Sequence, residues 1–167
     1  SAFYLYPGFA EQARVLAETM VDIGASHGVP VRAVLTDMSQ PLGRAVGNAC
    51  EVAEAVEVLR GEGPPDLVEV TYRLCEEMLL AGGVTADRAD ARARLERAVA
   101  SGAALAKLVE VVEAQGGDPA VIHDPSLLAR APEEHTVAAP RGGYVARADA
   151  LDIGVAGVRL GAGRERK

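Results

Sequence analysis

The sequence predicts an α/β fold, mostly helical, that passes near residue 120 into the beginning of a β-rich α+β unit. Three observations lead there. A helical repeat of apolar residues is followed, after a tight connection, by a short β-branched run, the second half of a βαβ crossover. Four more apolar stripes at helical spacing fill residues 48–115. Beyond them the periodicity lapses and the charge changes sign. Residues 140–167 hold six basic and three acidic side chains, so the acidic excess behind the net charge of −7 lies before them. The expected domain boundary therefore lies near residue 120.

From Phe9 to Ile23 the apolar positions Ala13, Leu16, Met20 and Ile23 recur at helical spacing, with Glu11, Arg14, Glu18 and Asp22 between them. Gly24 and Gly28 end this helix. Val31-Arg-Ala-Val-Leu-Thr36 predicts a buried strand whose partner would lie before Ser1, so the chain reads as starting in mid-fold. The segment 37–47, with one Pro and two Gly, predicts an ordered loop. Asn48 is the expected N-cap of the next helix, with Glu51 three residues on as in a capping box, and the stripe runs to Arg60. Gly61-Glu-Gly-Pro-Pro65 breaks the chain. Leu67, Val70, Leu74 and Met78 then predict a helix that Gly82-Gly83 stops. Two more are predicted, from Thr85 or Asp87 to Ala100, and from a Ser101 cap to Gln115. After Gly116-Gly-Asp-Pro119 comes a polar, Pro-bearing linker. Tyr144–Asp149 and Leu151–Leu160 alternate and predict strands without a partner in view.

Composition narrows the function classes. With 167 residues, 49% of them hydrophobic, the chain can bury a core. No apolar run approaches the roughly 18 residues of a membrane span, and no basic-then-apolar opening suggests a secretory signal. Seventeen basic against 24 acidic side chains argue against a nucleic-acid backbone as partner. Cys50 and Cys75 make no disulfide framework, which favours a reducing cytoplasm and inert thiols buried on helix faces. The Ala-rich helices, free of Trp, pack closely, so a substrate site belongs at an edge or a domain junction.

Few residues suggest chemistry. His27, His123 and His135 are isolated and lack the spacing of a zinc site. No nucleophile–base pair is visible. Gly154, Gly157, Gly161 and Gly163 do not sit between a strand and a helix, as a phosphate cradle needs, and read as turns or close strand packing. Arg164, Arg166 and Lys167 read as a solvated end. The loop 37–47 differs, because carbonyls ahead of a helix start have no helical partner and Glu54 lies almost two turns into that helix. Loop carbonyls with one carboxylate are the ligand set of a weakly held hard cation. A hydrated Glu on an amphipathic helix is the plainer reading of the same spacing.

The run Leu35-Thr-Asp-Met-Ser-Gln-Pro-Leu-Gly-Arg-Ala-Val-Gly-Asn-Ala49, continued by Glu51-Val52 and Glu54-Ala55, closely resembles the thymidine and pyrimidine-nucleoside phosphorylases. Gly61-Glu-Gly-Pro64, Glu77-Met78-Leu79, Ala114-Gln-Gly-Gly-Asp-Pro119, Asp124-Pro-Ser-Leu-Leu128, Gly143-Tyr-Val-Ala146 and Leu160-Gly-Ala-Gly-Arg164 follow in the same order. The resemblance covers nearly all of this chain but less than half of a family member. It implies that 1–116 is the latter part of the large α/β domain and that 117–167 begins the C-terminal α+β domain. The implied reaction is reversible phosphorolysis of thymidine or uridine to the free base and a pentose 1-phosphate. The family's phosphate- and base-binding motifs precede the equivalent of Ser1, so no catalytic residue is assigned here. By resemblance, a potassium ion is held by the Leu42 and Ala45 carbonyls and the Glu54 carboxylate, facing ligands outside this segment. Phe3 would lie against the pyrimidine, with Tyr6 as the alternative occupant, since Ser1 stands where glycine is expected and Tyr4-Leu5-Tyr6 departs from the pattern. The resemblance further implies a cytoplasmic homodimer with no organic cofactor. It also sets the chain apart from the fold-related anthranilate phosphoribosyltransferases, which are expected to lack the 37–55 motif. The competing reading is a non-catalytic helical module that binds a partner.

Overall fold

The computed structural model describes residues 10–162. Phe3, Tyr6 and the terminal Arg164, Arg166 and Lys167 lie outside the described residues. Seven α-helices follow in order among them: α1 (Ala10–Ser26), α2 (Asn48–Arg60), α3 (Pro65–Ala81), α4 (Arg88–Ala100), α5 (Ala103–Ala114), α6 (Ala120–His123) and α7 (Ala150–Arg159). A short 3-10 turn, Pro125–Leu127, follows α6. The first five match the predicted helices, and the local chemistry explains their ends. Pro65 sits in the first turn of α3, where its missing N–H costs nothing. The Asp87 carboxylate caps α4 by accepting from the Ala89 and Asp90 N–H groups, both at 3.2 Å.

Two predicted caps are displaced by one residue. The cap of α2 is Gly47 rather than Asn48, and it has no side chain to offer. Glu51 Oε1 instead accepts the Gly47 N–H at 2.9 Å, so only the backward-reaching half of the capping box forms. The cap of α5 is Gly102 rather than Ser101. Ser101 ends α4, and its hydroxyl donates to the Ala98 carbonyl while accepting the Ala103 N–H at 3.5 Å.

Helix α3 packs on α4, α4 on α5, and α2 lies against both α4 and α5. Val56 and Val58 of α2, Ala91 of α4 and Ile122 of α6 are buried between them. The Arg60 guanidinium donates to the Ile122 and His123 carbonyls, each at 3.1 Å, and so holds α6 at the end of α2.

Charge does much of the remaining work. Glu76 and Glu77 of α3 are only 2% and 8% exposed. Buried carboxylates are tolerated only when paired and hydrogen-bonded. Arg88 bridges the two, at 3.2 Å to Glu76 and 2.7 Å to Glu77, while Arg92 reaches Glu76 at 2.5 Å and lies over the Tyr72 ring. Arg73 approaches both from their own helix, and Arg32 meets Glu77 at 3.1 Å. These pairs tie α4 and the 31–36 segment to α3.

The structure corrects three expectations. Val31–Thr36 forms no strand among the described residues, which offer no neighbouring strand to complete a ladder. The segment returns along α1 instead, starting from the Val29 N–H on the Gly24 carbonyl at 2.9 Å. Residues 144–149 carry no regular structure and 150–159 are helical, so the predicted β character there is overturned. The alternation of Leu151, Ile153 and Val155 imitates a strand, but Leu151, Val155 and Val158 also share a helix face. The Asp149 carboxylate decides between them by accepting the Leu151 and Asp152 N–H groups at 3.0 and 3.1 Å. Finally, Cys50 is exposed rather than buried. Cys75 is half-buried, and burial pushes its thiol pKa up.

Breaking the Glu76 cluster strands arginines that the fold has brought together. Glu76→Gln is expected to lower stability by about 3 kcal/mol in urea unfolding. Glu69→Gln, which removes only a mostly exposed partner of Arg92, should cost less than about 1 kcal/mol.

Candidate functional site

The loop between residues 37 and 47 takes its shape from carboxylates that lie mostly outside it. At its entry the Asp37 carboxylate accepts the Ser39 N–H at 2.8 Å, a bond that holds its pKa below the usual value. At its tip three successive main-chain N–H groups turn inward. Gly43 donates to Asp66 Oδ2 at 2.9 Å, Arg44 to Glu54 Oε1 at 2.8 Å, and Ala45 to Glu54 Oε2 at 3.3 Å. Glu51 takes the Gly47 N–H at the exit. Two turns of α2 and the first turn of α3 thus supply the acceptors that the loop backbone needs.

Gly43 makes the reversal possible. Its φ is +72°, in the region open chiefly to glycine, and a Cβ there would overlap Glu54 Oε2. Glu54 cannot simply move aside, because it is 7% exposed and both of its oxygens are engaged. The bond from Gly43 is also the main cause that holds the Asp66 carboxyl below its usual pKa.

The peptide of the Gly43 N–H carries the Leu42 carbonyl, whereas the Ala45 carbonyl belongs to the Ala45–Val46 peptide, one beyond those bound to Glu54. Among the described residues no donor meets the Leu42 or Ala45 carbonyl. Each Glu54 oxygen accepts one N–H and keeps capacity for a second partner. Among the described residues no three His, Cys, Asp or Glu gather to hold a metal ion, so a cation at this loop must draw on main-chain oxygens. Unpartnered main-chain carbonyls and a buried carboxylate are the donor types that a hard cation of low charge takes.

The structure therefore brings Ala45 and Glu54 into contact and places Leu42 one residue before the Gly43 turn. Phe3 lies outside the described residues. Sequence reasoning missed Asp66 and the amide-binding role of Glu54. The plainer expectation of a hydrated Glu54 is overturned, because the loop amides bury it, and no spacing rule links Asp66 to a loop 23 residues earlier.

Residues 2–105 match the family model described as glycosyl transferase family, a/b domain. The chain belongs to that family. Within it, the chain is 50% identical over 156 residues to a thymidine phosphorylase of Mycobacterium tuberculosis (strain CDC 1551 / Oshkosh), covering 93% of this chain and 34% of that protein. It is 43% identical over 157 residues to a pyrimidine-nucleoside phosphorylase of Staphylococcus aureus (strain USA300), covering 94% of this chain and 36% of that protein. The chain thus spans about a third of the length of the curated relatives it matches. The a/b description agrees with the predicted α/β class, although the described residues of this glycosyl transferase segment contribute helices and loops alone. Among those residues no helix is long and apolar enough to cross a membrane.

Two outcomes are expected. Gly43→Ala should cost about 2 kcal/mol, read as a lowered unfolding midpoint, since it combines left-handed strain with a collision at Glu54. Asp66 has a folded pKa below its unfolded one, so its contribution is present above the unfolded value and fades as pH falls through the folded one. The stability gap between the wild type and Asp66→Asn should therefore hold from neutral pH to about pH 5 and narrow below about pH 4, as urea titrations at a series of pH values would record.

Proposed function

We propose that the protein carrying this chain is a pyrimidine-nucleoside phosphorylase, acting reversibly on thymidine or uridine with inorganic phosphate. The observation that carries this reading is the likeness to two phosphorylases over more than nine-tenths of the chain, a stretch that takes in the Glu54 loop. In that reading residues 1–116 belong to the latter part of a large α/β domain and 117–167 open a C-terminal one. The working enzyme is a cytoplasmic homodimer.

The chemistry divides between this segment and the rest of the enzyme. Phosphate attacks the anomeric carbon as the bond to the pyrimidine nitrogen breaks, and the free base departs while a pentose 1-phosphate forms. An oxocarbenium-like transition state of this kind needs fixed charge and hydrogen bonds on both phosphate and base. No residue of this chain is assigned to those contacts, apart from Phe3 as an apolar surface against the pyrimidine.

The loop's part is positional. The Leu42 and Ala45 carbonyls and the Glu54 carboxylate would hold a potassium ion, whose bound charge fixes this side of the cleft relative to the phosphate-binding side. Glu54 serves twice, since it orders the Arg44 and Ala45 amides and leaves a charged face for the ion.

The test is release of free base from thymidine or uridine with phosphate, accompanied by an equal amount of pentose 1-phosphate, in the whole protein. Absence of base release from both nucleosides would overturn the reading. Potassium should raise the rate more than sodium does. Glu54→Gln should raise the half-saturating potassium concentration about ten-fold or more, as expected from losing the only charged ligand of the set.

A further inference from the structure

Helix α7 and the Glu54 loop are joined at both ends. At the start of α7 the Ala150 N–H donates to the Ser39 carbonyl at 3.1 Å. Just past its end the Ala162 carbonyl accepts the Asn48 N–H at 3.3 Å. Ser39 lies at the loop's entry and Asn48 at its exit, so the helix lies along the whole turn.

Two glycines mark where the helix segment and the loop approach each other, with space for a Cβ at one and not at the other. A Cβ on Gly157 would rest 3.6 Å from a methyl of Val46, and a Cβ on Gly47 would come within 2.9 Å of the Ala162 Cβ. Gly47 also has a φ of +123°, so both its backbone and its bare Cα are needed where α7 ends. No side chain of α7 touches the Glu54 carboxylate in any hydrogen bond or ion pair. Its hold on the loop is exerted through the main chain at residues 39 and 48.

We propose that α7 is a strap that keeps the 39–48 loop in the form whose Gly43, Arg44 and Ala45 N–H groups meet Asp66 and Glu54, and that Ala150 is a positioning residue for cation binding there. The cation part rests on the reading in the preceding subsection; the hold on the loop does not. The strap makes the loop's order depend on a segment about 100 residues later in the chain, so that the cation-facing carbonyls are set only when α7 is seated.

Ala150 offers a clean test. It occupies the first position of α7, after the Asp149 cap, where proline is compatible with a helix. Asp149 has an extended conformation suited to the position before a proline. Ala150→Pro thus leaves α7 its start, removes the N–H that Ser39 receives, and sets a ring carbon in its place. In the whole protein, exchange of the Arg44 and Ala45 amides is followed by mass spectrometry of the loop peptide, with potassium chloride as the added salt.

The expected result is exchange about five-fold faster than in the wild type, the effect of losing one hydrogen bond. The half-saturating potassium concentration should rise by a similar factor, with kcat at saturating potassium within about two-fold of the wild type. Ala150→Ser keeps the N–H and should match the wild type in every measurement. A folded Ala150→Pro protein with unchanged amide exchange overturns the strap. If that variant does not fold, Gly157→Leu, which presses on Val46 from mid-helix, is judged by the same criteria. Faster exchange in a protein whose wild type ignores potassium would uphold the strap and overturn the cation reading, so the two fail separately.

Discussion

Burying a carboxylate is costly unless the surroundings answer it with donors, and the described residues bury three: Glu54, Glu76 and Glu77. Each gathers elements that apolar packing alone would leave apart. Glu76 and Glu77 draw arginines from α4 and from the 31–36 segment onto α3. Glu54 draws the backbone of a ten-residue-distant loop onto α2. The apolar contribution is modest by comparison, with Val56, Val58, Ala91 and Ile122 as the buried hydrophobic side chains among the described residues. Ile23 of α1 remains more than half exposed, although it lies on the stripe the sequence marks as inward-facing.

The two kinds of carboxylate site differ in what they leave behind. Around Glu76 and Glu77 the donors are side chains, and the result is a closed set of ion pairs that holds helices together. Around Glu54 the donors are the Arg44 and Ala45 peptide N–H groups, whose peptides carry the Gly43 and Arg44 carbonyls. Among the described residues the carboxylate meets no cationic side chain there and keeps acceptor capacity on both oxygens. This is why the loop, rather than the more heavily charged cluster, is the candidate site.

Most helices were legible because their signals are local. Apolar spacing, Pro65, Asp87 and the Gly82-Gly83 stop act within a few residues of where they are written. The displaced caps at Gly47 and Gly102 show the limit of that reasoning: a side chain able to cap lay one residue away, but the backbone took the left-handed or extended glycine instead. The mistaken strand at Leu151–Leu160 came from reading alternation before caps, for Asp149 followed by Asp152 is a helix-start signal of the kind that located α4. The Val31–Thr36 run failed for another reason, since β character in sequence cannot supply the neighbouring strand that a ladder requires. At the site, Glu54 was legible through its place on α2, and Leu42 and Ala45 only through resemblance. The Asp66 contact was not legible, because it depends on how α3 returns past the loop.

The Glu54 loop has one more consequence, concerning where its information is stored. Leu42, Arg44 and Ala45 enter the arrangement through peptide groups, which every amino acid except proline possesses. What they are as side chains matters little to its shape. The instructions sit instead at Gly43 and Gly47, where side chains are refused, and at Glu51, Glu54 and Asp66, which belong to the neighbouring helices. The tip of the loop can therefore drift in sequence and still fold the same way, while its helical neighbours cannot. A binding surface built like this exposes variable side chains to whatever lies across the cleft while keeping an invariant frame beneath them.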